Sequence, residues 1–458
     1  MLYHLIRLIA VVSLDRFFRR IVVAHRGRVA HDGATILVAN HPNTLMDALV
    51  VGYAAGRKVH ILTKSTLFSS RVGRWFLTKM GVVPVYRRQD DPTQMDRNEE
   101  IFGKLYDLLE HRGSLLIFPE GISEPGRKLQ KIRTGTARIA LGVEARNKFS
   151  LDVRIIPVGL NYSDIQRFRS DVYCRFGKPI RPLDYREAYE NDPVQAVRAL
   201  TGEVRSGLEK VLAVVDEGDP EAVIDSLETI YKQELMMDLG LDTQSKTDDF
   251  MVTKGIIAAV RWFFRRDPDR VRKMETQMKT YLHNLERLKL KDEFLKPTRR
   301  GIGFGKRLKA WLFLVLGFPL YVWGMVNNVV PYVIPRLLTR YLIKQYTFIS
   351  SAKLLAGMGS FIIFYLAQTR LIWDFTGNKW VTGLYALSLI PTGNFALHYY
   401  RKAVNYRQHL VFLSLFYRRK NLIYGLIQQR MNLIESLNQA RDEYLAATQQ
   451  RDGVRPAR

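Results

Sequence analysis

The chain has 458 residues, enough for two or three domains and a sizeable core. Its 70 lysines and arginines against 44 acidic residues leave a formal charge of +26, a surplus that draws nucleic acid, acidic substrates or anionic lipid headgroups. No zinc-ligand array, RNA-binding signature or basic-zipper heptad accompanies that charge, which argues against nucleic acid, and long apolar stretches near the C-terminus favour lipid.

Residues 1–25 alternate short apolar clusters with Arg7, Asp15, Arg16, Arg19 and Arg20, and no small-residue cleavage site follows. A helix here turns Leu2, Leu5, Ile6, Ile9, Val12 and Leu14 to one side, suited to a membrane interface or to packing on the next domain. Ile36 to Ala39 then reads as a buried strand ending at Asn40-His41, and Pro42-Asn43-Thr44 opens a helix with Asp47 in its first turns. A histidine at a strand end with a nearby carboxylate has the layout of an oriented general base; it is equally the layout of a buried histidine beside a helix-capping aspartate.

Further strands are predicted at Val59–Leu62, Val82–Tyr86, Ser114–Phe118, Val153–Leu160 and Val172–Phe176. Helices are predicted at Val72–Met80, from Asp91-Pro92 to Gly113, and from Thr134 onward. The alternation across residues 26–190 argues an α/β layer fold. Residues 191–305 are charged and helical in pattern. Cys174 stands alone, so no intramolecular disulfide forms.

Between residues 306 and 400 lie three uncharged runs: Trp311–Ile334, Leu354–Thr369 and Trp380–Tyr400. They suit membrane helices, with buried core helices as the alternative. Basic flanks at Arg299, Arg300, Lys306 and Arg307, at Arg336, Arg340, Lys344 and Lys353, and after Arg401 place the first domain on the cytoplasmic side. That topology makes the second and third runs a hairpin. The first becomes a broken, re-entrant or interfacial element, whose prolines and Asn327-Asn328 suit irregular backbone. Residues 401–458 suit a long amphipathic helix lying on a membrane or pairing with another helix.

Four blocks stand in order: Asn40-His41 with Asp47, GVVPVYR from Gly81 to Arg87, Phe118-Pro119-Glu120-Gly121 with Ser123, and Ile156-Pro157-Val158. In order and spacing they resemble the four motifs of the phosphate-glycerol acyltransferase family, over roughly a quarter of the chain. The wider wording, NHPNTLMDALVV, Lys64, the tract Lys131 to Leu141, and Trp323-Gly324 with Asn327 to Pro331, is similar to bacterial relatives of the fungal-type glycerol-3-phosphate acyltransferases. One departure stands out. Five residues separate His41 from Asp47 where the family has four. One inserted residue turns a helical side chain by roughly 100°, so the pair meets only if the turn after His41 is loose.

The resemblance implies a mixed sheet flanked by helices, followed by a helical region and C-terminal membrane helices. It implies that His41 deprotonates a glycerol hydroxyl while Asp47 holds the imidazole, and that Arg87 binds the acceptor's phosphate. Glu120 and Gly121 would position the glycerol backbone, with Glu120 accepting hydroxyl hydrogen bonds, and Asn40 and Lys64 join the substrate-binding set. Lys131 and Arg133 would add a phosphate or carrier contact, or form a solvated basic loop; Pro157 would shape the acyl cleft. The implied co-substrate is acyl-CoA or acyl carrier protein, the partner a phospholipid membrane, with no metal or redox cofactor. The acceptor is glycerol-3-phosphate or its 1-acyl derivative; an inactive lipid-binding scaffold is the alternative of another class.

Overall fold

The computed structural model describes residues 2–87, 93, 96–296, 304–343 and 345–452. Arg88, Asp91-Pro92, Arg299, Arg300 and Lys344 lie outside the described residues, as do the side chains of Leu2, Leu5, Val72, Lys306, Arg307, Val411, Leu413, Leu415 and Arg418. The chain divides into two compact units, Met1–Glu217 with Leu338–Leu355, and Gly218–Leu337 with Ala356–Arg458.

The first unit is a mixed seven-stranded sheet flanked by helices. Its strands are β1 (Arg20–Ala24), β2 (Thr35–Ala39), β3 (His60–Lys64), β4 (Val82–Val85), β5 (Ser114–Ile117), β6 (Arg154–Tyr162) and β7 (Asp171–Phe176), in the spatial order β1-β7-β6-β2-β5-β3-β4. All neighbours are parallel except β6 and β7. The helices are α1 (Leu2–Phe17), α2 (Leu45–Ala55), α3 (Arg71–Lys79), α4 (Arg97–Glu110), α5 (Gly135–Arg146), α6 (Arg186–Asn191) and α7 (Pro193–Val211).

β2 lies mid-sheet between β5 and β6, and every one of its residues is buried, the pattern of a parallel strand covered on both faces. Ile36 and Val38 pack with Leu115, Ile117 and Ile155 against Leu105 and Leu109 of α4, Ile139 of α5 and Leu200 and Val204 of α7. Pro157 belongs to this packing: buried in β6, it lies so close under Gly207 of α7 that a methyl there would come within 2.6 Å of its Cγ. Pro157 is therefore packed between β6 and α7.

The N-terminal helix is shorter than its apolar spacing suggests, because Arg20–Ala24 is extended and pairs with β7 at the sheet edge. Leu14, Phe17 and Phe18 are buried in the domain, whereas Leu8 and Val12 are exposed. Arg19 and Arg20 pair with the carboxylate of Asp171.

The second unit is helical: α8 (Glu221–Ile230), α9 (Lys232–Asp238), α10 (Lys246–Arg266), α11 (Pro268–Arg287), α12 (Phe304–Leu342), α13 (Ile349–Thr376), α14 (Lys379–Arg418) and α15 (Lys420–Asp452), except that the end of α12 from Leu338 and the start of α13 to Leu355 belong to the first unit. The tail thus breaks at Arg419, and α15 packs on α10 and α11, the helix-pairing alternative for residues 401–458. Among the described residues, two stretches are long and apolar enough to cross a membrane, Leu308–Leu342 and Tyr346–Thr376. The third run lies within α14, which falls short of that test.

The first run is not broken. α12 continues through Pro319, Pro331 and Pro335. A proline cannot donate to the carbonyl four residues back, so Pro331 strands Asn327 O and Pro335 strands Pro331 O. Helix α13 supplies both missing donors: Gln368 Nε2 donates to Asn327 O at 3.0 Å, and Ser360 Oγ to Pro331 O at 2.9 Å. The asparagine pair serves the same packing. Tyr385 OH donates to Asn327 Oδ1 and Tyr365 OH to Asn328 Oδ1, each at 2.6 Å.

Candidate active site

The loops that carry the family-like motifs leave adjacent parallel strands at their carboxyl ends, where open α/β sheets bind ligands. His41 follows β2 and Glu120 follows β5. Asn40 fastens the end of β2 to β6: its Nδ2 donates to Leu160 O at 3.1 Å, and its Oδ1 accepts Leu160 N–H at 2.8 Å.

His41 Nδ1 lies 3.0 Å from Asp47 Oδ2. Asp47 is sealed at 0% exposure while the His41 side chain keeps 19%, so the ring is reachable and its partner is not. The carboxylate is held from three sides, with Oδ2 also accepting Asn43 N–H at 2.7 Å and Oδ1 accepting Tyr162 OH at 2.7 Å. Burial, with the Asp47 charge adding to it, pushes the Tyr162 phenol well above its ordinary range, so it stays a donor. Phe118 stacks on the imidazole with ring centroids 3.9 Å apart. With Nδ1 facing a carboxylate, Nε2 is the nitrogen left to accept a proton.

The extra residue between His41 and Asp47 is absorbed at Thr44, the N-cap of α2, with φ 42° and ψ −120°. Positive φ is a genuine outlier for a β-branched residue, and it supplies the loose turn that lets Asp47 swing back under the ring.

Glu120 is engaged by two backbone N–H groups. Its Oε1 accepts His41 N–H at 3.0 Å and its Oε2 accepts Gln130 N–H at 3.1 Å, so it braces the histidine loop with both oxygens. Burial raises its pKa above the ordinary glutamate value, against the lowering by those two N–H groups. Next to it, Gly121 accepts from Arg87 Nη1 at 2.6 Å. Its φ is +71°, and a Cβ there would sit 2.8 Å from Arg133 Nε. Two guanidinium groups therefore meet at one glycine, beside the residue that holds His41.

The structure thus links Asn40, His41, Asp47, Arg87, Glu120, Gly121 and Arg133 through successive contacts. Lys64 ends β3 in register with Val85, at the same end of the sheet as Arg87, and Lys131 is exposed on its loop; among the described residues no contact ties either to the dyad. Sequence reading missed Phe118, Tyr162, Asn43 and the role of Ser123, whose Oγ accepts Thr44 N–H at 3.2 Å. Phe118 and Ser123 stand inside a recognised block, which was the available signal; nothing marks Tyr162.

Residues 20–161 match the family model described as Acyltransferase. That segment, about a third of the chain, is similar to the acyltransferase family. It is similar to Glycerol-3-phosphate O-acyltransferase 1 of Saccharomyces cerevisiae, 24% identical over 306 residues that make up 63% of this chain and 39% of the relative. Glycerol-3-phosphate O-acyltransferase 2 of the same yeast is 32% identical over 137 residues, 30% of this chain and 18% of that one. The chain thus spans well under half the length of either relative. Among solved structures, the 1-acyl-sn-glycerophosphate (LPA) acyltransferase PlsC from Thermotoga maritima aligns with a TM-score of 0.33 at 18% identity, covering 47% of this chain and 81% of that one.

Proposed function

We propose that the protein is a membrane-bound O-acyltransferase that moves a fatty acyl group from acyl-CoA or acyl carrier protein to a hydroxyl of glycerol-3-phosphate. The observation that carries this reading is the His41–Asp47 pair, 3.0 Å apart at the carboxyl edge of β2, with its Nε2 side reachable. His41 Nε2 takes the proton of the acceptor hydroxyl as its oxygen attacks the thioester carbonyl carbon. The C–S bond then breaks, and the proton held on Nε2 passes to the leaving thiolate. Asp47 steadies the imidazolium between these steps. Arg87 and Arg133 at Gly121 suit the acceptor's phosphate, since guanidinium groups match phosphate oxygens. No metal or redox group enters the step as drawn.

The names of both yeast relatives favour glycerol-3-phosphate as acceptor. The two apolar stretches support a membrane-bound enzyme, and the basic flanks at Arg336 and Arg340 support a cytoplasmic acyltransferase domain. Purified protein in mixed micelles, given labelled acyl donor and either glycerol-3-phosphate or its 1-acyl derivative, tests the reading. Turnover is expected with the first acceptor and a loss of about 10²- to 10⁴-fold in His41→Ala. Turnover with the 1-acyl acceptor alone moves the assignment to that substrate. Unchanged turnover in the variant removes the base, and none with either acceptor leaves a lipid-binding scaffold.

A further inference from the structure

Thr44 carries two anomalies. It is an N-cap threonine whose hydroxyl makes no cap hydrogen bond, although capping is what threonine ordinarily does there. It also holds a positive φ, a conformation that persists only where surroundings enforce it. Besides Ser123 Oγ on its N–H, one further contact bears on both. The Thr44 hydroxyl points to a segment some 300 residues later, lying 2.9 Å from Ser351 Oγ and donating to Thr347 O at 3.1 Å. Thr44 is 7% exposed and Ser351 3%, so water does not compete for these bonds.

The contact is one of several. Ser350 Oγ donates to Ile165 O at 2.7 Å, the same carbonyl that receives Asn43 Nδ2 at 3.1 Å. Lys353 Nζ donates to Gln166 O at 3.3 Å, and Gln166 Nε2 to Tyr346 O at 3.2 Å. Thr347 and Ser351, at the start of α13, therefore contact the loop Asn43-Thr44 directly, while Tyr346, Ser350 and Lys353 contact Ile165-Gln166, to which Asn43 is also bonded. That loop sets where Asp47 stands, through Asn43 N–H on Asp47 Oδ2 and through the turn at Thr44.

We propose that Ser351 and Thr347 are positioning residues for the His41–Asp47 pair: they hold Thr44 in its strained turn, and the apolar helix α13 thereby supplies part of the acyltransferase site. The proposal rests on the general-base reading of His41. It asks little of bond strength, since a shift of about 1 Å at a reacting group costs up to roughly 10²-fold in rate.

The test uses the full chain in micelles, with Ser351→Ala and the hydroxyl-preserving Ser351→Thr beside the native protein. Two measurements are made: kcat and KM for both substrates, and hydrogen–deuterium exchange of the peptide covering residues 40–48. Ser351→Ala is expected to speed exchange in that peptide while β5 and β6 peptides stay unchanged. Its kcat should fall roughly ten-fold with KM values within about two-fold, and Ser351→Thr should restore both readouts. Unchanged exchange at 40–48 overturns the proposal whatever the kinetics show, and so does faster exchange with native kcat. General loosening of the sheet, or no rescue by threonine, reduces Ser351 to an ordinary structural residue and also overturns it. Should the native protein acylate neither acceptor, the base reading falls, and the exchange data still decide whether the grip on Thr44 exists.

Discussion

Each oxygen of Glu120 receives one backbone N–H, and this single carboxylate ties the end of β5 to both the histidine loop and the basic loop. Because its folded pKa is raised by burial, the folded chain binds a proton more tightly than the unfolded chain. Glu120's own contribution to the stability of the first unit is therefore full below the unfolded glutamate value. It declines as pH climbs from there through the raised value. Thermal melts across that window should show the decline in the native protein and a flatter profile in Glu120→Gln; identical profiles would contradict the assignment. The residues around it were legible in proportion to their locality. His41, Asp47, Glu120 and Gly121 sit in short blocks whose spacing carries the chemistry. Phe118 could be read only as a strand end, and Tyr162 becomes a partner of Asp47 only once β6 lies beside β2.

Among the elements, strands with continuous apolar runs were readable because burial on both faces leaves no other composition. β1 was not, since its five residues continue an apolar-and-basic pattern that also fits a helix, and only pairing with β7 decides the matter. α12 misled for a related reason. Its prolines forecast a break, and the donors that repair it come from α13, outside any local window. This repair is measurable. Gln368→Leu should cost on the order of 0.6 kcal/mol in unfolding experiments in detergent, the usual worth of an interhelical hydrogen bond in such settings. In a Pro331→Ala background, where residue 331 regains its N–H and Asn327 O its ordinary donor, the same change should cost markedly less. Equal costs in the two backgrounds would show that Gln368 stabilises by packing alone.

At the scale of the whole molecule, the second unit is organised around a buried charge cluster of a kind that sequence pattern does not announce. Arg430 of α15, 2% exposed, donates to Asp292 Oδ1 at 2.8 Å and to Glu234 Oε1 at 2.7 Å, and Tyr281 OH donates to Asp292 at 2.6 Å. These groups join α9, α11 and α15, so residues 218–296 and the C-terminal helix are parts of one folded unit, while α7 of the charged region belongs to the first. Arg430→Ala strands two carboxylates and should lower stability by about 3–5 kcal/mol in a thermal or denaturant melt. Replacing Arg430 and Asp292 together by methionine and leucine should cost much less, and equal losses would refute the pairing account. The first unit is assembled from distant pieces as well, since Ser351 must reach Thr44 across 307 positions of sequence. In sequence order the whole strand-and-helix layer, which ends with α7 at Val211, precedes Ser351. On the reading proposed above, the histidine turn gains its last fastening only once the start of α13 has been made.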